Sequence, residues 1–150
     1  MKFSEMPYKR IDMEEVEKEY KSIIERTKNA KSGEEQFEIH REYYKFIADV
    51  QTSMELAMIR HDIDTTDEFY EKESDFYDEV GPIISQYENE YGKVLYDSPY
   101  RDYLESKIGK VTFKNIEIAN KAFDEKIIPL MQEENALSSR YSKLIATAKI

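Results

Sequence analysis

The residues with the most chemical potential lie in one stretch, Ile59 to Glu73 (IRHDIDTTDEFYEKE), which brings His61, Asp62, Asp64, Asp67 and Glu73 close together. An imidazole beside carboxylates is a metal-ligand set, and carboxylates at alternate positions are how a calcium loop presents its oxygens. Counted from Asp62 as the first position, Asp64 falls third, Phe69 eighth and Glu73 twelfth. The pattern fails at the sixth position, where the sharp turn requires glycine and the chain has Asp67, and at the fifth, which holds Thr66. Thr65 followed by Glu68 instead fits a capping box, in which side-chain oxygens accept the orphan N–H groups of a helix's first turn. The stretch therefore reads as a turn between two long helices, and no catalytic, cofactor-binding or metal-ligating residue is expected in the chain.

The other candidates yield to similar arguments. His40 and His61 stand on one helical stripe but about 30 Å apart along its axis, too far to share a metal. His40 on an apolar seam reads as a hydrogen-bonded core histidine, and the pattern assigns His61 no role. Carboxylate pairs at helical spacing, such as Glu14/Glu17, Glu71/Asp75 and Asp75/Asp78, read as solvated faces. No Glu-x-x-His, H-E-x-x-H, nucleophile elbow or glycine-rich phosphate loop occurs. Tyr43, Tyr44, Tyr77, Tyr87, Tyr91 and Tyr141 fall on packing stripes, where a tyrosine buries its ring and keeps its hydroxyl wet.

Helices must position these groups. Four glycines and four prolines among 150 residues, 36% charged side chains and a mean hydropathy of -0.76 describe long solvated helices, not short strands. Residues 1–11, with Pro7, read as an irregular lead-in. Asp12 with Glu15, and Ser32 with Glu35, start the first two helices. The second carries two stripes: Phe37, His40, Tyr44, Ile47, Gln51, Met54, Met58, His61, and beside it Ile39, Tyr43, Phe46, Val50, Ala57. Phe69, Phe76, Val80, Ile83, Ile84, Tyr87, Tyr91, Val94 and Leu95 carry the third, with a kink expected at Gly81-Pro82. Ser98-Pro99 starts a short helix that Gly109 stops, and Val111 to Phe123 forms another. Asp124 caps a last helix with Pro129 in its first turn and Leu130, Leu137, Tyr141, Leu144 and Ala148 as its stripe. The expected fold is all-α: residues 1–150 as one helical domain, a bundle of long antiparallel helices with two or three shorter ones.

The net charge of -10 argues against a nucleic-acid binder, which needs a basic face. Nine acids between Asp62 and Glu79 stand against Lys72 alone. The absence of cysteine excludes thiol nucleophiles and thiolate metal sites and fits a cytoplasmic protein. No apolar run is long enough to span a membrane and no signal peptide opens the chain.

Three stretches, MKFSEMPYKRID, IRHDIDTTDEFYEKE and QEENALSSRYSKLIATAKI, resemble the N-terminal part of the oligoendopeptidase F-like family of zinc metallopeptidases, of the thimet oligopeptidase-like clan. In the middle stretch Arg60, Ile63, Asp64, Thr65, Asp67, Phe69 and Tyr70 carry the resemblance. Members of that family are longer, largely helical shells around a deep channel. There an H-E-x-x-H helix and a further Glu hold zinc, and the motif's Glu activates the attacking water. No residue here matches those ligands, so the resemblance implies no cofactor in this chain and zinc in a downstream part. It implies an N-terminal helical scaffold that forms a wall of the peptide channel and is inactive by itself. Its partners would be the remainder of the peptidase and, through the full enzyme, an oligopeptide, and the isolated piece could self-associate. The helical pattern runs to Ile150 without a stop, which reads as a fragment. The alternative is a stand-alone helical protein-interaction module.

Overall fold

The computed structural model describes residues 3–148, apart from the side chain of Ser4. After a single 3-10 turn at Phe3–Glu5 come α1 (Met13–Asn29), α2 (Gly33–Ile63), α3 (Glu68–Tyr96), α4 (Arg101–Ile108), α5 (Lys110–Ala122), a 3-10 turn at Glu125–Ile127 and α6 (Ile128–Thr147). Among the described residues there is no strand, and the all-α bundle expected from the sequence is the observed fold.

Side-chain oxygens start the helices. Asp12 accepts from the Glu14 and Glu15 amides at 2.9 and 3.3 Å, and Ser32 accepts from Glu35 at 3.1 Å. The cap of α3 is Asp67 and not Thr65, a correction to the capping box read from the sequence. Asp67 Oδ1 accepts from Phe69 and Tyr70 at 2.9 and 3.2 Å. A carboxylate is the stronger acceptor and complements the positive end of the helix dipole, so it takes the cap in place of the neighbouring hydroxyl. Helix α4 begins two residues beyond Pro99: Ser98 Oγ accepts the Tyr100 amide at 3.0 Å and donates to Gln36 Oε1 at 2.5 Å. Gly109 ends α4 with a φ of 90°, a backbone conformation that glycine adopts without strain. Helix α6 ends at Thr147 with Ala148 as its cap, short of Ile150, which lies outside the described residues.

Helix α3 runs unbroken through Pro82. The ring leaves the carbonyl of Asp78 without its intrahelical donor, and Asn135 Nδ2 of α6 donates to that oxygen at 3.2 Å. Gln132 Nε2 donates to the next carbonyl, Glu79, at 2.8 Å. The proline therefore fixes where α6 docks.

Helix α3 packs on α1, α2, α5 and α6. One core cluster joins Val16, Tyr20, Ile47, Val50, Tyr77, Val80 and Ile84, and a second joins Ile23, Ile39, Tyr91, Leu95, Leu104 and Phe113. Of the two stripes on α2, no residue of the second is exposed, whereas the first is buried only at His40, Ile47 and His61. On the first, Tyr44 is 56% exposed and Gln51 and Met58 also face solvent, while Gln36 and Leu56, outside both stripes, are buried. Phe69 is also exposed, because α3 starts too near the turn for its first residues to be covered.

Gly33 is buried where α4 crosses the start of α2, and a Cβ there would lie 2.6 Å from Tyr103 Cδ1 and 2.8 Å from its Cγ. Helix propensity alone makes Gly33→Ala stabilising by roughly 0.5–1 kcal/mol. The close ring reverses the sign, and urea unfolding is expected to show a loss of about 1–3 kcal/mol. In a Tyr103→Ala background, which removes the ring and leaves only the Tyr103 Cβ at 3.1 Å, that loss should shrink.

Candidate functional site

The acids between α2 and α3 do not converge. Asp62 is exposed, its Oδ1 3.9 Å from His61 Nδ1, beyond hydrogen-bonding distance. Asp64 ends α2 and turns inward on its own loop, accepting from the Thr66 amide at 3.0 Å and the Thr66 hydroxyl at 2.6 Å, which holds its carboxyl below the usual range. Asp67 is committed to the cap of α3. Glu73, the twelfth position of the failed calcium pattern, is buried and faces away from the turn.

Glu73 instead anchors the lead-in. Arg10 grips it with both arms of the guanidinium, Nε to Oε2 at 2.8 Å and Nη2 to Oε1, and the Tyr8 hydroxyl donates to Oε2. The guanidinium also lies 4.6 Å above the Phe76 ring. Hydrogen bonding to Arg10 keeps the Glu73 carboxyl below its ordinary range against the opposing effect of burial. On the other side of the turn, Arg60 donates to Tyr70 Oη and to the Met6 carbonyl, both at 2.6 Å. All five of these residues (Tyr8, Arg10, Arg60, Tyr70 and Glu73) lie in the sequence stretches that carry the family resemblance, and their role in the structure is to fasten residues 3–11 across α2 and α3. The pairings Tyr8–Glu73 and Arg10–Glu73 span more than sixty residues, and no local pattern in the sequence announces them.

His40 is the core histidine the sequence suggests. It is 3% exposed, shares a 2.9 Å hydrogen bond between Nδ1 and the Tyr91 hydroxyl, and stacks near-parallel to Tyr43 and Tyr91. Burial pushes its pKa down from 6.5 to about 4. His61 is also buried, at the foot of a polar cleft between α3 and α6. Across that cleft Lys143 pairs with Glu71, and Ser139 Oγ donates to Asp78 Oδ2 at 2.5 Å. These pairs use three of the six charged side chains that line the cleft, which reads as a docking seam for α6.

The donor sets do not suit a zinc ion. Among the described residues no three histidine, cysteine or acidic side chains gather in a geometry that could hold a metal. Glu73 is engaged by Arg10, Glu71 by Lys143 and Asp67 by backbone amides.

Residues 3–123 match the sequence profile of the peptidase M3 N-terminal domain. Among solved structures, PZ peptidase A with an inhibitor is 40% identical with a TM-score of 0.97, over 99% of this chain and 26% of the other. A Bacillus anthracis protein assigned as an oligoendopeptidase F is 38% identical, TM-score 0.97, over 100% of this chain and 28% of its own. A second structure assigned as an oligoendopeptidase F is 39% identical with the same TM-score, over 26% of its chain. The chain thus spans about a quarter of the length of these proteins. No curated protein matches it.

His40 and Glu73 act in different pH windows. The folded pKa of His40 lies below its unfolded value, so its contribution is complete above pH 6.5 and is lost as pH falls toward 4, a change of about 3 kcal/mol. Stability measured against pH should flatten across that window in His40→Phe. The folded pKa of Glu73 is depressed as well, but from a carboxylate's starting point, so its contribution is present above the ordinary carboxyl range and disappears only below it. Glu73→Gln is expected to cost about 1–3 kcal/mol at pH 7 and little at pH 3, with thermal melts at the two pH values as the measurement.

Proposed function

This chain belongs to the family of peptidase M3 N-terminal domains, and we propose on that footing that it serves as the helical scaffold of a cytoplasmic zinc oligoendopeptidase. In this reading residues 1–150 form one wall of the channel that admits short peptides, while zinc and its H-E-x-x-H helix belong to a part of the enzyme outside them. The remainder of that enzyme is the partner, and an oligopeptide is the substrate of the whole.

The observation that carries the reading is the outer face of α6. Leu130, Leu137, Tyr141, Leu144 and Ile145 are 56–68% exposed, although their spacing is that of a helix face made to be covered. A contiguous apolar face of this kind on a helix marks a surface that packs against further protein. The opposite side of α6 is already committed to α3 through Asn135, Ser139 and Lys143. The helix thus presents its apolar side outward, which supports a role in packing against the rest of a longer chain.

The test is a graft. Replacing the matching quarter of PZ peptidase A with this chain is expected to preserve zinc-dependent cleavage of an internally quenched oligopeptide, and Leu137→Glu with Leu144→Glu in the graft should cut it at least tenfold. The 150-residue chain alone is expected to cleave nothing. Peptide cleavage by the isolated chain, or a folded graft without activity, would overturn the proposal. Self-association of the isolated chain that the same two substitutions abolish, together with an inactive graft, would favour a stand-alone interaction module.

A further inference from the structure

A second cavity, of about 390 Å³, opens between α3, α5 and the start of α6. Its walls are apolar, with Ile116, Phe123 and Ile127 lining the α5 and α6 sides. Four polar side chains interrupt them: Ser85, Glu88 and Asn89 on α3 and Asn120 on α5, of which the last three concern a ligand here. A cavity of this size, apolar with a few convergent polar groups, has the composition of a small-molecule site.

These three groups share one unmet requirement. Asn89 is 7% exposed and its Oδ1 is buried without a hydrogen-bond partner, and the Oδ1 of Asn120 is buried and unpartnered too. Buried acceptors without donors are uncommon in folded proteins, because each forfeits its hydration. Glu88, half-buried beside them, meets no lysine, arginine or histidine among the described residues. Burial alone raises its pKa, and its charge in turn contributes to holding up the Tyr20 and Tyr43 phenols after their own burial. One acidic group and two amide oxygens therefore point to the same kind of occupant, one that is rich in N–H donors and positively charged.

We propose that this cavity binds a primary ammonium carried on a short apolar body, with the ammonium donating to Glu88, Asn89 Oδ1 and Asn120 Oδ1 and the body lying against Ile116, Phe123 and Ile127. A cation of this type neutralises the carboxylate and supplies the missing donors, and a ring or alkyl group matches the apolar walls. Glu88 also borders the neighbouring groove between α2, α3 and α6, where Met54, Met58 and Met131 offer apolar surface to a longer ligand. Simple amines and free peptide amino termini share this chemistry. The assignment does not depend on the peptidase reading, because it concerns the isolated chain and needs no catalysis.

The experiment is a titration of benzylamine into the 150-residue chain, followed by NMR. Saturable shifts centred on Asn89, Gly92 and the Asn120 side-chain amide are expected, with benzyl alcohol, which has the ring but no charge, binding at least tenfold more weakly. Glu88→Gln should weaken benzylamine at least tenfold while leaving benzyl alcohol unchanged. Ala119→Trp, which fills the exposed rim without entering the core, should abolish both. Phenylalaninamide separates the two sources: tighter binding than benzylamine, lost on N-acetylation, identifies a peptide amino terminus, and equal or weaker binding identifies a simple amine. The proposal is overturned if benzylamine produces no saturable shift, or if amine and alcohol bind the native chain equally well. That last comparison needs no variant, so it decides the matter even if Glu88→Gln does not fold.

Discussion

Helix α3 contacts α1, α2, α5 and α6, so polar groups on its covered faces lose water on folding and must find partners inside the protein. Much of the structure follows from that constraint. Glu73 is buried on one face, and the lead-in is fastened across the bundle because Arg10 and Tyr8 satisfy it. Pro82 withholds a donor on another face, and α6 is set in place by the Asn135 amide that fills the gap. Tyr91, farther along the face that carries Glu73, buries a hydroxyl and meets His40. Where α3 turns toward α5, the requirement is not met, and Asn89 is left with an unpartnered oxygen on the wall of an apolar cavity.

The same geometry divides α6 into two unlike halves. Its polar side is held to α3 by hydrogen bonds and the Lys143–Glu71 pair, contacts whose contribution depends on pairing and not on area. Its apolar side faces outward. A helix docked through polar contacts and left bare on its apolar face gains little from the hydrophobic effect until something covers it. This arrangement suits a segment that mediates between a helical scaffold and additional protein, as expected of an N-terminal domain in a family whose longer members it matches over a quarter of their length.

The stretch that looked most like chemistry in the sequence turns out to be joinery. Its histidine is buried beside a docking seam, Asp64 closes a loop, Asp67 caps a helix and Glu73 holds a distant arginine. The capping logic was legible in the local sequence, although it named Thr65 where the carboxylate two residues on was the better acceptor. The fate of Glu73 was not legible, because the groups that determine it lie more than sixty residues away.

Local pattern determined the all-α class, the starts of α1 and α2, the stop at Gly109 and the core role of His40, since each depends on residues within a turn or two of one another. The resemblance in three stretches determined the family. Tertiary structure alone decided which stripe of each helix is covered. The alternating stripe through Tyr44 and Met58 has the same period as the stripe through Ile39 and Val50, but it meets the core only at positions such as His40 and Ile47 and leaves Tyr44, Gln51 and Met58 to solvent. It also decided that Gly33 is required by an approaching tyrosine ring and that the stripe of α6 faces outward. Periodicity states that a face is apolar, and it carries no information about which neighbour, if any, arrives to bury it.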